Sequence, residues 1–318
     1  MLEAGFEIEP FFLNGDSGPL FCIHLYPAST AANGHGDNAT PDNETRHARF
    51  PHPNPPPEGE GTNVTLREFH VKGSILYLHP FAEEMHKSRR MAALQARRFA
   101  AEGYAVLQLD LTGCGDSAGD FGDATWEGWL ADARRAHAWL SEKHPGPVML
   151  WGLRSGASIA VELANTLSGI ERLLLWQPVA NGEQFLNQFL RIKLASEMLS
   201  GTQAQSGTKE LRARLESGEA IEVGGYLLGS AMARSLANMK LADMPPPCPV
   251  EWLEIGAENS DSPTPASQRI VDAWRTAGVN VRTRTVSGEP FWVTQEITEC
   301  AGLIEATTAA VRGHQLKP

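Results

Sequence analysis

Residues 147–160 read PVMLWGLRSGASIA. An apolar run enters Gly152-Leu153-Arg154-Ser155-Gly156 and continues into small residues that suit a helix. Strand, tight turn and helix in that order, with a glycine two residues to either side of the central position, is the layout of the Gly-x-Ser-x-Gly nucleophile elbow. Such an elbow strains its central residue so that the side chain stands clear of the strand end. Here that residue is arginine.

The segments around the elbow alternate strand and helix. SILYLHPF, from Ser74, reads as a buried strand, and KSRRMAALQARRFAAEG reads as an amphipathic helix with Ser88 as its N-cap and Gly103 as its stop. YAVLQLDL is a second strand, and the helix from Trp126 to His144 has Thr125 at its cap. VMLWG and ERLLLWQPVA are the next strands on either side of the elbow helix. Repeated β-α units of this kind predict a mostly parallel, doubly wound sheet. Residues 181–247 break the rhythm and read as a helical cap inserted over the sheet. VEWLEIG, SQRIVDAWRTAG, VNVRTRTVSG and a last helix around QEITECAGLIEATTAAV complete it. The expected division is therefore a core of residues 1–180 and 248–318 with the cap between. Residues 27–63, rich in Pro, Gly, Asn and charge, read as a disordered loop insertion between PLFCIHLY and VTLREFHVKGSILYLHP.

Composition narrows the function classes. Hydrophobic residues make up 42% and charged residues 20% of the 318, as in ordinary globular chains, and no apolar run reaches the roughly 18 residues of a membrane span. A net charge of -11 opposes nucleic-acid binding, and the start shows no basic, apolar leader, so the cytoplasm is the expected location. Cys22, Cys114, Cys248 and Cys300 are too scattered for a disulfide framework or a zinc site, so no metal is expected. No cofactor is expected either: Gly113-x-Gly115 follows a strand, but Ala118 stands at the third position of a dinucleotide fingerprint.

Three stretches, LYLHPFAEEMHKSRRMAALQAR, LDLTGCGDSAGDFGDATWEGWLAD and WGLRSGA, resemble the exosortase A system-associated hydrolase 2 family. The resemblance covers most of the chain outside residues 27–63. It implies an α/β-hydrolase fold, a hydrolase activity, and a setting in bacteria that make exopolysaccharide and sort PEP-CTERM proteins.

A serine triad needs nucleophile, acid and histidine in that chain order. Glu258 and Asp261 stand where the acid belongs, after the penultimate strand. No histidine lies between His144 and His314, and the loop expected to carry the base reads Ser287-Gly288-Glu289-Pro290-Phe291-Trp292. Ser155 cannot replace the missing nucleophile, because the elbow presents only its central side chain. Two readings follow. One is a degenerate hydrolase fold that binds a small anionic molecule, or a protein of the exosortase system, at Arg154 with Ser155 and Phe81 beside it. The other is an active hydrolase of an ester, thioester or activated sugar with a relocated site, using Cys114 activated by His79, by His86 or by the positive elbow, or using Glu83 and Glu84. Glu83, Glu84 or Asp110 is also expected to neutralise Arg154.

Overall fold

The computed structural model describes residues 5–28, 71–199, 207–256 and 262–312. Two strands, β1 (Phe6–Gly15) and β2 (Gly18–Pro27), form an antiparallel hairpin. Then come β3 (Ser74–Leu78), α1 (Glu83–Ala101), β4 (Ala105–Leu109), α2 (Trp126–Lys143), β5 (Val148–Leu153), α3 (Ser155–Thr166) and β6 (Ile170–Trp176). After β6 the chain makes α4 (Gly182–Leu199), α5 (Thr208–Glu216), a small hairpin of β7 (Ile221–Val223) and β8 (Tyr226–Leu228), and α6 (Ser230–Asn238). It ends with β9 (Val250–Gly256), α7 (Pro265–Thr276), β10 (Val281–Ser287) and α8 (Ala301–Arg312).

One eight-stranded sheet has the order β1-β2-β4-β3-β5-β6-β9-β10. From β4 to β10 the pairs are parallel, and β2 joins β4 antiparallel. Each central strand is buried on both faces, so alternate residues serve two cores. On β5, Val148 and Leu150 join the core with Trp129, Ile159, Trp252 and Trp274. Met149, Trp151 and Leu153 join the opposite core with Met91, Phe99, Trp176 and Leu303.

Helix boundaries follow local chemistry. The Thr125 hydroxyl accepts from the Gly128 N–H at 3.0 Å and caps α2, as its sequence predicts. Gly103, at a φ of 97°, ends α1 in the left-handed conformation expected of a stop glycine. Ser88 is not the cap of α1. The helix starts at Glu83, immediately after Ala82 turns the chain at a φ of 51°, and the Ser88 hydroxyl donates back to the Glu84 and Met85 carbonyls inside the helix. The last helix begins at Ala301, later than the periodicity suggests, and the segment after β6 contains a hairpin besides its helices. Pro27 and Ala28, assigned to the insertion, belong to the first hairpin: Pro27 pairs with Phe6, and the Ala28 N–H donates to the Gly5 carbonyl at 2.9 Å. Residues 29–70 lie outside the described residues.

Candidate functional site

The turn from β5 into α3 has the strain of an elbow. Arg154 sits at φ 55° and ψ -117°, a conformation that non-glycine residues rarely adopt and that costs of order 1–3 kcal/mol. The glycines around it permit the close approach. A Cβ on Gly156 would lie 2.2 Å from the Leu78 carbonyl oxygen, and one on Gly152 would lie 2.5 Å from the Ala157 Cα. Hydrogen bonds tie the turn into the sheet: the Arg154 N–H donates to the Trp176 carbonyl at 2.9 Å, and the Val179 N–H to the Arg154 carbonyl at 3.4 Å.

Of the three acids expected near Arg154, one is there. Arg154 Nε donates to Glu84 Oε1 at 3.2 Å and Oε2 at 3.3 Å, and Nη2 donates to Oε1 at 3.2 Å. The two side chains retain 17% and 16% of their exposure, so the pair is neither sealed nor solvated. Burial pushes the Glu84 carboxyl up, and the Arg154 guanidinium only partly offsets it. Glu83 instead accepts from the Tyr226 hydroxyl at 3.2 Å. Asp110 accepts from Arg89 Nη2 at 2.8 Å and from the Asp116 N–H at 3.1 Å.

Two aromatic rings complete the surroundings of the guanidinium. Its carbon lies 5.7 Å from the Phe185 ring centre on α4 and 5.5 Å from that of Trp292, after β10. Sequence reasoning missed both. Trp292 lies in the loop where a triad histidine was sought, so the signal was its position. Phe185 had no local signal, because only the return of α4 over the sheet brings it to the elbow.

The relocated-site candidates differ in their surroundings. His79 is buried between two backbone groups, with Nδ1 2.8 Å from the Pro80 carbonyl and Nε2 3.1 Å from the Leu111 N–H. That pattern fixes a neutral ring with Nδ1–H donating and Nε2 accepting, and leaves no lone pair for proton abstraction. Burial also pulls its pKa down. Cys114 is 6% exposed in the glycine turn, and burial followed by the nearby Asp110 charge pushes its thiol up, so it stays protonated and a poor nucleophile. The His86 ring faces Tyr226 at 6.4 Å. Phe81 is a core residue, its ring 5.9 Å from Phe185 and 5.2 Å from Phe189. Ser155 is fully buried and its hydroxyl has no hydrogen-bond partner among the described residues. Glu258, Asp261 and His314 lie outside the described residues.

Solved structures with little sequence in common share this architecture. Est1E from Butyrivibrio proteoclasticus aligns at a TM-score of 0.63 and 13% identity, covering 97% of this chain and 99% of that one. A putative hydrolase from Agrobacterium vitis S4 aligns at 0.55 and 16% identity, covering 97% and 98%. Brefeldin A esterase, a bacterial homologue of human hormone sensitive lipase, aligns at 0.53 and 14% identity, covering 97% and 76%. The chain has the α/β-hydrolase fold. The family described as serine aminopeptidase, S33, matches this hydrolase-fold chain over residues 70–217, just under half of its length. No curated protein matches it. Among the described residues, no group of three or more His, Cys, Asp or Glu side chains forms a metal site, and no helix is long and apolar enough to cross a membrane.

Proposed function

We propose that this hydrolase-fold protein binds a small anion at the elbow and does not hydrolyse esters by a serine mechanism. The observation that carries the reading is the guanidinium of Arg154 at the central elbow position, held by Glu84 and lined by Phe185 and Trp292. A planar fork of N–H donors suits a carboxylate or phosphate and offers no nucleophile. The base is missing as well, because the chain has no histidine between His144 and His314. Disabling a serine triad costs on the order of 10⁶ in kcat, which removes hydrolysis as a working activity. The resemblance to exosortase-associated proteins supports looking for the anion, or for a protein that presents one, in that system.

Activity-based labelling and ligand screening test the reading. The full chain should stay unlabelled by a fluorophosphonate and should leave nitrophenyl esters at the buffer rate. Thermal-shift screening with carboxylates and phosphates should find a stabilising anion, and Arg154→Ser should weaken it at least about tenfold, the worth of a charge-assisted hydrogen bond. Labelled Ser155, or esterase activity gained by Arg154→Ser, would overturn it.

A further inference from the structure

The pair at the elbow is already a carboxylate complex, with Glu84 as an internal ligand. Glu84 occupies one edge of the guanidinium, through Nε and Nη2. Nη1, on the other edge, has no hydrogen-bond partner among the described residues. Arginine can hold two carboxylates, one on each edge, because its five N–H donors lie in one plane. The rings of Phe185 and Trp292, both buried, pack against the same guanidinium and leave its open edge as the approach for a carboxylate.

A second carboxylate at this site meets a like charge. With Glu84 ionised, the pair is neutral and the electrostatic attraction for an anion is weak. With Glu84 protonated, Arg154 carries an uncompensated positive charge. Two carboxylates sharing one site raise the pKa of one of them, so an arriving anion favours protonation of Glu84. Burial already pushes that carboxyl in the same direction. Arg154 is the charge paired with Glu84, while Glu83 in the same turn of α1 accepts from the Tyr226 hydroxyl and Asp110 pairs with Arg89.

We infer that the elbow is a proton-coupled carboxylate site: a carboxylate takes the open edge of Arg154, and Glu84 takes up one proton from solvent as it binds. The inference rests on the anion-binding reading above and supplies its ligand class and pH response. No covalent bond forms or breaks. Affinity falls by up to about tenfold per pH unit above the Glu84 titration, the limit for one linked proton.

Calorimetry of the full chain with benzoate, acetate and inorganic phosphate, between about pH 5 and 8 and in buffers of different ionisation enthalpy, tests it. The parent should take up close to one proton with benzoate or acetate and bind both more tightly at the acidic end. Glu84→Gln should bind benzoate without proton uptake, with a flat pH profile, and more tightly than the parent at the alkaline end. Benzoate binding to the parent without proton uptake would overturn the coupling, as would an unchanged pH profile in Glu84→Gln. The parent's proton count decides the point alone if Glu84→Gln fails to fold. A preference for phosphate over benzoate would overturn the ligand class and leave Arg154 as an anion site. If neither protein bound any of the three probes, the anion-binding reading itself would fall.

Discussion

At the scale of the residue, the central fact is that the strained turn between β5 and α3 holds a charge that needs an answer. Arg154 keeps the strained φ of 55° and finds Glu84. Removing one partner of such a pair strands the other in a partly buried site, whereas removing both does not. Glu84→Leu should therefore destabilise the fold by about 2 kcal/mol, and Arg154→Leu with Glu84→Leu should cost less than the sum of the two single changes. Urea titrations of the four proteins measure this, and simple additivity would show that the pair contributes nothing. A second strained residue offers a gain. Ala82 sits at a φ of 51° before α1, and Ala82→Gly should leave stability unchanged or raise it by up to about 1 kcal/mol as the backbone strain is relieved. A loss above that size would mean that the Ala82 methyl, buried at 2% exposure, matters more than the strain.

At the scale of the element, the β5–α3 unit depends on how closely α3 approaches the end of β3. That contact is backbone against backbone at Gly156, where a Cβ would strike the Leu78 carbonyl. Neither side can yield by a rotamer change, so Gly156→Ala should destabilise by about 3 kcal/mol, the upper range for overpacking. Gly169, in the turn between α3 and β6, is a useful contrast. Its φ is 83°, but a methyl group added there would meet nothing within 4 Å, so Gly169→Ala should cost only about 1 kcal/mol of backbone strain. Thermal melts of the two variants compare the effects, and equal losses would mean that packing against β3 is slack. Much of this element was legible beforehand. The glycine spacing and the apolar run of β5, like the Thr125 cap of α2 beside them, are local patterns, and local patterns survive folding. The start of α1 was not legible, because Ser88 is a good capping residue placed where the chain has already turned at Ala82.

At the scale of the whole molecule, a histidine pair joins the first hairpin to α2. His24 and His144 face each other Nε2 to Nε2 at 2.9 Å, with the fully buried His24 beside Trp139 and Tyr26. One ring must donate and the other accept, so the accepting ring is neutral, and burial lowers the pKa of both rings. Burial, then His144 and Lys143, lower the His24 pKa from 6.5 to about 3. The unfolded chain therefore binds the proton more readily, and His24 withdraws stability as pH falls from about 6.5 toward about 3. Between pH 7 and 4.5 the loss should reach about 2 kcal/mol, and His24→Phe should shrink it. Urea midpoints at both pH values read the difference, and an unchanged acid loss in His24→Phe would remove His24 from the account. The raised carboxyls of Glu84 and Glu251 act with the opposite sign, so the comparison must be made against the parent. Sequence by itself determined the order of strands and helices from β3 to β6 and from β9 to α8, the elbow with arginine at its centre, and the lack of histidine between His144 and His314, because each is a matter of identity and spacing along the chain. Only the tertiary structure decided that Glu84 answers Arg154 while Glu83 and Asp110 do not. Consecutive residues on a helix point about 100° apart, so one step along α1 turns Glu83 to Tyr226 and Glu84 to the elbow. The same holds for Phe185 and Trp292, which reach Arg154 from segments that follow different strands and meet only where the packed sheet brings those segments together.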